Sequence, residues 1–205
     1  QKNRHNWQEV IERVSSSIDF EELYKHEKKR NKKTKFFKEQ KINQAIHLHA
    51  QGNIREATKC YEQLISQGCN DRRVFSNYGI ILEGLGKLQD AEKYFRKAIE
   101  LNPKYAIAHS NLGNILRDLG NLKEAEIYMR KAITLKPNCF EAHFNLGGIL
   151  RDLGNLKEAE ISTRKAIALN PDLAIAHFSQ SIYKYSDENK SWKDQLFSEN
   201  ILINK

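Results

Sequence analysis

The sequence predicts an all-α solenoid built from repeated pairs of antiparallel helices, and three observations predict it. Residues 111–127 (NLGNILRDLGNLKEAEI) and 145–161 (NLGGILRDLGNLKEAEI) differ at one position and lie 34 residues apart. The three prolines of the chain, Pro103, Pro137 and Pro171, keep the same spacing. Apolar residues recur within each repeat at helical rather than strand spacing. One helix pair of this length cannot bury its apolar face alone, so successive pairs must stack.

The composition is typical of a packed protein, with 40% hydrophobic and 29% charged residues among 205. No stretch approaches the roughly 18 apolar residues of a membrane span, and no secretory signal with an apolar centre is visible. Cys60, Cys69 and Cys139 are odd in number and scattered, so we expect free thiols rather than a disulfide framework. Free thiols favour a cytoplasmic location.

Residues 1–37 are expected to hold a short helix around Trp7–Arg13 and then a basic linker. Of the net charge of +8, +6 lies in the eleven residues Lys25–Lys35 (KHEKKRNKKTK). Such a run can bind phosphates or an acidic surface, which makes nucleic-acid binding one functional hypothesis. No aromatic-rich surface or nucleic-acid motif accompanies the charge, so we favour a solvated connector.

Four repeats are expected to follow, and each should form two helices. Their ranges are 38–71, 72–105, 106–139 and 140–173. In the third repeat, Leu112 and Leu116 belong to a helical apolar stripe that stops at Gly120, a residue suited to the turn after a helix. Asn121 and Glu124 then have the spacing of an N-cap and its capping-box partner at the start of the second helix.

This pattern of small, large, alanine, aromatic and proline positions resembles the tetratricopeptide repeat over about residues 38–186. The small first-helix positions are Ala45, Gly79, Gly113 and Gly147. The resemblance implies a right-handed superhelix whose first helices line a concave groove. The chain departs from the family at the first-helix tryptophan position, which holds Phe75, His109, His143 and His177.

Asparagine occupies one equivalent position in all four first helices, at Asn43, Asn77, Asn111 and Asn145. In the family this position faces the groove, and in the repeat domain of the enzyme that adds N-acetylglucosamine to proteins such asparagines hold the backbone of a bound peptide. An amide both donates and accepts, so a row of amides can hold an extended chain without reading its side chains. The alternative is an asparagine that only bonds a neighbouring turn, and we favour the groove.

Other polar residues on the same helical stripe are further candidates for the groove. They are Arg73, Asn114, Arg117, Asp118, Arg151 and Asp152. The arginines could bind a carboxylate, sulfate or phosphate group of a ligand. Equally, the Arg-Asp pairs of successive repeats could bond each other across the repeat interface. The sequence leaves both interpretations open.

Enzyme and metal chemistry find no support in the motifs. The histidines His109, His143 and His177 should lie about 8–10 Å apart on successive helices, too far to share one Zn²⁺ at about 2.1 Å. We expect them in the core or at interfaces, and we expect no metal and no cofactor. No phosphate loop, nucleophile elbow, zinc-protease or dinucleotide motif is present, so any catalytic domain would lie outside this chain.

Residues 174–205 are expected to form a partial fifth repeat with capping helices. The tail SWKDQLFSENILINK is apolar for a cap, so we expect further chain after it or self-association through it. Repeats followed by such a tail resemble the N-terminal part of bacterial proteins that join tetratricopeptide repeats to a sulfotransferase domain. That resemblance implies that more chain follows.

The favoured hypothesis is a scaffold that binds a protein or extended peptide. The alternative is a substrate-presenting accessory domain of a larger sulfotransferase or glycosyltransferase. Binding of nucleic acid or an acidic surface through Lys25–Lys35 is a third, weaker hypothesis.

Overall fold

The computed structural model describes residues 20–172, and these residues form eight α-helices joined by short turns, without a strand. The helices are α1 (Phe20–Ala50), α2 (Ile54–Ser66), α3 (Arg72–Gly84), α4 (Leu88–Leu101), α5 (Ala106–Asp118), α6 (Leu122–Leu135), α7 (Phe140–Asp152) and α8 (Leu156–Leu169). The predicted all-α fold is confirmed. The chain divides into two compact bodies, an N-terminal body (Gln1–Leu64) and a C-terminal body (Ile65–Lys205).

In the N-terminal body, α1 is a single helix of 31 residues that contains the whole Lys25–Lys35 run. The run expected as a linker is helical and continuous with the first helix of the first repeat. Lys, Arg, Glu and Gln are good helix formers, and no glycine or proline interrupts α1. The side chains described along the run are exposed. The helix predicted at Trp7–Arg13 lies outside the described residues.

In the C-terminal body, each repeat is a helix pair: α3 packs on α4, α5 on α6, and α7 on α8. The small first-helix positions lie where the two helices approach most closely. A Cβ on Gly79 would lie 2.8 Å from the ring of Phe95, and one on Gly147 would lie 2.6 Å from Oγ1 of Thr163. These distances are too short for any side chain, so glycine at these positions is required by the packing.

The turn between the two helices of a repeat is the same in each described case. Gly120 has φ of 82°, and its N–H donates to the carbonyl of Arg117 at 2.9 Å. The next N–H, of Asn121, donates to the carbonyl of Leu116 at 2.7 Å. Glycine tolerates a positive φ, which explains why the helix ends where the sequence predicts.

The capping-box prediction is wrong. Asn121 and Asn155 do occupy the N-cap positions of α6 and α8, but neither side chain accepts a bond from the helix backbone. Their ψ angles of 57° and 70° lie outside the extended region that aims an N-cap side chain at the first turn. The side chain of Asn155 instead donates to Glu158 at 2.9 Å.

Stacking of the repeats places the first helices of the C-terminal body side by side. The second helix of each repeat packs on the first helix of the next, α4 on α5 and α6 on α7. In addition, α3 contacts α5 directly, and α5 contacts α7. We call the surface formed by α3, α5 and α7 the first-helix face. Leu112, Ile115 and Met129 are fully buried within this stack.

Candidate functional site

The predicted row of asparagines lies mostly on the first-helix face. Asn77 on α3, Asn111 on α5 and Asn145 on α7 occupy equivalent positions on adjacent helices, and all three are half-buried. Asn43 lies on α1 in the N-terminal body, where it is exposed. The C-terminal body thus presents three amide side chains in a row.

The three amides differ in their hydrogen bonds. Nδ2 of Asn77 donates to the carbonyl of Arg73 at 2.9 Å, one turn earlier in the same helix. Nδ2 of Asn111 is buried and has no partner among the described residues, and the side chain of Asn145 makes no hydrogen bond within residues 20–172. The alternative of an asparagine that bonds a neighbouring turn therefore describes Asn77. A buried donor left unpaired costs about 1–3 kcal/mol, so Asn111 would gain from a ligand carbonyl.

Arg73, one of the predicted groove residues, is bound by the start of its own helix. Its Nε and Nη2 donate to the two oxygens of Asp71, at 3.0 and 2.7 Å. Asp71 also accepts the backbone N–H of Arg73 at 2.8 Å and so caps α3. These bonds from Arg73 lower the pKa of the Asp71 carboxyl, although its partial burial acts in the opposite direction. Asp71 was not among the predicted residues, although an aspartate before a helix is a common N-cap.

Arg117 crosses from the third repeat to the fourth. Its Nε donates to Asp152 at 2.6 Å, so the interpretation of an Arg-Asp pair across the interface describes this arginine. The guanidinium lies over Gly148, where a Cβ would be 3.0 Å from Nη1. Gly148 is the one position at which the two near-identical segments differ, and the third repeat has Asn114 there. The absence of a side chain at Gly148 leaves room for the Arg117 guanidinium to reach Asp152.

Arg151 is the predicted arginine with the weakest partner. Its Nε lies 3.7 Å from Asp152, beyond hydrogen-bond distance, and the side chain is 40% exposed. Asp152 is already bonded to Arg117. Arg151 therefore retains most of its five donors for another group.

Glu83 occupies the position equivalent to Arg117 in the second repeat, and sequence reasoning missed it. Its partial burial raises the pKa of its carboxyl, and the charge of Asp118 on α5 raises it further. Glu83 and Asp118 occupy the positions that Arg117 and Asp152 occupy at the next interface. Aligning the repeats would have revealed this contrast, since the position reads Glu83, Arg117 and Arg151 in successive repeats. Asn114, another predicted groove residue, lies half-buried on α5 of this interface.

The histidines and cysteines of the described region have structural surroundings. Nε2 of His109 is 2.9 Å from the carbonyl of Pro103, and Nε2 of His143 is 2.9 Å from that of Pro137. His177 lies outside the described residues. Between residues 20 and 172, no group of three or more His, Cys, Asp and Glu is placed to hold a metal ion. The predicted free thiols are confirmed: Cys69 is buried, and Cys60 and Cys139 are half-buried.

A helix that spans a membrane must be both long and apolar. Over the described part of the chain, no helix combines the length and the apolar character that crossing a bilayer requires.

Two family models, both described as "Tetratricopeptide repeat", match the chain. One matches residues 42–106 and 77–138, and the other matches residues 140–173. Together these matches cover well over half of the 205 residues. A comparison with curated proteins finds no sequence match.

Solved structures with the same fold include MamA, PilF and YrrB. MamA (residues 41 to the end) from Desulfovibrio magneticus RS-1 has a TM-score of 0.67 and 20% identity, over 79% of this chain and 92% of that one. PilF of Pseudomonas aeruginosa has a TM-score of 0.67 and 17% identity, over 74% and 69%. YrrB, described as a TPR protein with an unusual peptide-binding site, has a TM-score of 0.63 and 23% identity, over 73% and 77%. At these identities the similarity shows the shared fold alone.

Proposed function

Because this chain belongs to the tetratricopeptide repeat family, we propose that it is a protein-binding scaffold whose first-helix face holds an extended peptide. One observation carries the proposal. Asn111 and Asn145 stand at equivalent positions on adjacent helices, with amide groups that no described residue bonds. A peptide backbone offers one N–H and one carbonyl per residue and so suits such amides. The peptide-binding site named for YrrB supports the same class of function.

The spacing of the helices suggests how such a peptide would lie. Adjacent packed helices are about 8–10 Å apart, and an extended chain advances about 3.3 Å per residue. Successive asparagines would therefore meet the backbone at about every third residue of the peptide. Only the side chains between these points would constrain the ligand sequence, so a scaffold of this kind would accept several unrelated peptides.

Arg151 is the predicted arginine best placed to add specificity. Arg73 and Arg117 each bond an aspartate of this chain, whereas Arg151 has only a contact of 3.7 Å with Asp152. We propose that Arg151 meets an acidic group of the peptide. Asn43, on the N-terminal body, stays a prediction, and so do the cytoplasmic location, a transferase accessory role and nucleic-acid binding through Lys25–Lys35. Self-association through the tail concerns residues outside the described range.

The test uses an array of immobilised extended peptides of unrelated sequence, followed by titration of the best-retained peptide. We expect the double variant Asn111→Ala/Asn145→Ala to bind that peptide about 10-fold more weakly, because two hydrogen bonds are lost. The matched control is Asn121→Ala, which removes an exposed asparagine that makes no cap bond. We expect this control to bind as the wild type does.

Two results would contradict the proposal at different levels. If the double variant bound like the control, the amides would play no part in holding the peptide. If the wild-type chain retained no peptide at all, the peptide-binding function itself would be wrong. The backbone interpretation further predicts that a peptide N-methylated at every third residue loses affinity, while methylation at other positions is tolerated.

A further inference from the structure

A different feature begins with an aromatic pair inside the third repeat, at the side where this repeat packs on the second. The ring of Tyr128 on α6 stacks on His109, with centroids 5.8 Å apart and planes 29° from parallel. His109 is only 5% exposed beneath it. The hydroxyl of Tyr128 accepts a hydrogen bond from Nη1 of Arg96 on α4 at 3.0 Å. Ring, hydroxyl and guanidinium together close this interface.

The next interface repeats every part of this arrangement except the tyrosine. His143 is held by a proline carbonyl at 2.9 Å, as His109 is. Arg130 bonds Glu126 at 2.8 Å and Glu158 at 2.5 Å, as Arg96 bonds the two corresponding glutamates. The position of Tyr128, however, holds Ser162. Within residues 20–172, Nη1 of Arg130 therefore has no counterpart to the bond that Arg96 makes to the tyrosine hydroxyl.

A cavity lies at the place that a tyrosine would occupy. It has a volume of about 430 Å³ and is bounded by α6, α7 and α8. Ile133, Leu146 and Ile161 supply apolar walls, and Arg130, His143 and Ser162 line the remainder. His143 is half-exposed here, in contrast to His109. Ile161, at the rim, is 67% exposed.

The second repeat supports the same comparison. Phe75 stands at the position of the two histidines, and the ring of Tyr94 stacks on it with centroids 6.1 Å apart. A hollow of about 440 Å³ lies beside Tyr94, but the ring of Phe75 is covered. In the second and third repeats the chain thus supplies its own tyrosine at this position. In the fourth repeat it supplies a serine.

We propose that the cavity between α6, α7 and α8 is a binding site for a tyrosine side chain of a partner protein. The incoming ring would stack on His143, and its hydroxyl would accept a hydrogen bond from Arg130. The hydroxyl selects tyrosine over phenylalanine, because Nη1 of Arg130 is left to donate to it as Nη1 of Arg96 donates to Tyr128. The site lies between α6, α7 and α8, uses none of the row of asparagines, and does not rest on their peptide-binding role.

The probe is para-cresol, which is the tyrosine side chain without its backbone, added to the full 205-residue chain. We expect saturable shifts of the His143 ring signals in nuclear magnetic resonance spectra, with affinity on the order of millimolar for so small a ligand. Toluene has the same ring without the hydroxyl, and we expect it to bind about 3- to 10-fold more weakly. Equal affinity for the two compounds would overturn the role of Arg130.

Two substitutions exchange the serine and the tyrosine. Ser162→Tyr places the chain's own ring in the cavity and should abolish the para-cresol shifts. Tyr128→Ser should open a second site and make the His109 signals respond. Ser162→Leu fills the same space with a smaller side chain and should also block binding. It provides the test if the tyrosine variant folds poorly.

The outcomes separate this site from the peptide-binding role. Absence of saturable shifts in the wild type, or undiminished shifts in both Ser162 variants, would overturn the proposal. The double variant Asn111→Ala/Asn145→Ala should bind para-cresol as the wild type does, because its changes lie on the first-helix face.

Discussion

The interface between the second and third repeats and the interface between the third and fourth use the same positions with different chemistry. On the first-helix face, the earlier interface opposes Glu83 to Asp118, and the later one pairs Arg117 with Asp152. On the second helices, the earlier interface is closed by Tyr128, and the later one leaves His143 uncovered.

This contrast shows that similarity between repeats does not extend to the contacts between them. The third and fourth repeats share sixteen of seventeen residues in their matching segments, where one position differs. Each side chain at an interface nevertheless meets a residue of the neighbouring repeat, so its role depends on the pair. In a stack of repeats, stability is a sum of terms within repeats and terms between neighbours. The change from Glu83 opposite Asp118 to Arg117 paired with Asp152 is a difference of the second kind. The stack of Tyr128 on His109, which Ser162 cannot reproduce, is a difference within a repeat.

The largest expected effect comes from removing the tyrosine that closes the earlier interface. We expect Tyr128→Ser to lower the free energy of unfolding by about 2 kcal/mol, since a half-buried ring, its stack on His109 and its bond from Arg96 are lost. Denaturant unfolding followed by circular dichroism measures the change. Ser162→Tyr should act in the opposite direction at the later interface. A loss of stability in both variants would show that the two sites are not equivalent.

A smaller effect is expected from the ion pair of the later interface. Both Arg117 and Asp152 are about a third exposed, so a double-mutant cycle of Arg117→Ala and Asp152→Ala should give a coupling free energy of at most about 1 kcal/mol. The coupling should weaken in high salt, because partly exposed charges are screened.

The same cycle tests the role of Gly148. In the Gly148→Asn background the coupling should fall toward zero, because the new side chain occupies the path of Arg117. The matched background is Gly84→Asn, a glycine with open space around it. Undiminished coupling in the Gly148→Asn background would mean that Arg117 reaches Asp152 by another route.

The smallest expected effect is a gain of a few tenths of a kcal/mol from Glu83→Gln at neutral pH. The pKa of Glu83 is raised in the folded state, so the folded protein holds this proton more tightly than the unfolded chain does. Wild-type stability therefore falls as the pH rises from the ordinary glutamate pKa to the raised value, and the full penalty remains above it. Glutamine carries no charge and avoids this penalty.

Unfolding curves at several pH values check the sign of this effect. The variant should be more stable than the wild type at neutral pH, and the two should converge below the ordinary glutamate pKa. Asp118→Asn should produce a similar gain if the repulsion between the two carboxylates is the cause. A variant that is less stable than the wild type at neutral pH would show that Glu83 has a favourable partner.

The sequence predicted the features that depend on contacts within one repeat. Gly79 and Gly147 were expected at the close approach of two helices, and the structure places them there, because Phe95 and Thr163 of the same repeats leave no room for a Cβ. The same holds for Gly120, whose positive φ ends α5. The period alone was sufficient for these positions.

The features that the sequence did not predict depend on local dihedral angles or on two repeats at once. The asparagines at the N-caps have the right spacing, but with their ψ angles neither side chain accepts a bond from the helix backbone. Composition revealed the charge of the basic segment but not that it forms one continuous helix with the first repeat. The stack of Tyr128 on His109 lies within the third repeat, the bond from Arg96 adds a residue of the second, and no motif marks a triad that spans two repeats.

Gly148 also determines which repeat could be extended into a longer array. Copies of the third repeat placed in tandem would set an asparagine beneath every arginine equivalent to Arg117, and each copy would obstruct the ion pair of the one before it. Copies of the fourth repeat would set a glycine beneath every arginine equivalent to Arg151, with an aspartate in reach, as Arg117 has now. For designed arrays, the fourth repeat is therefore the module that can follow itself.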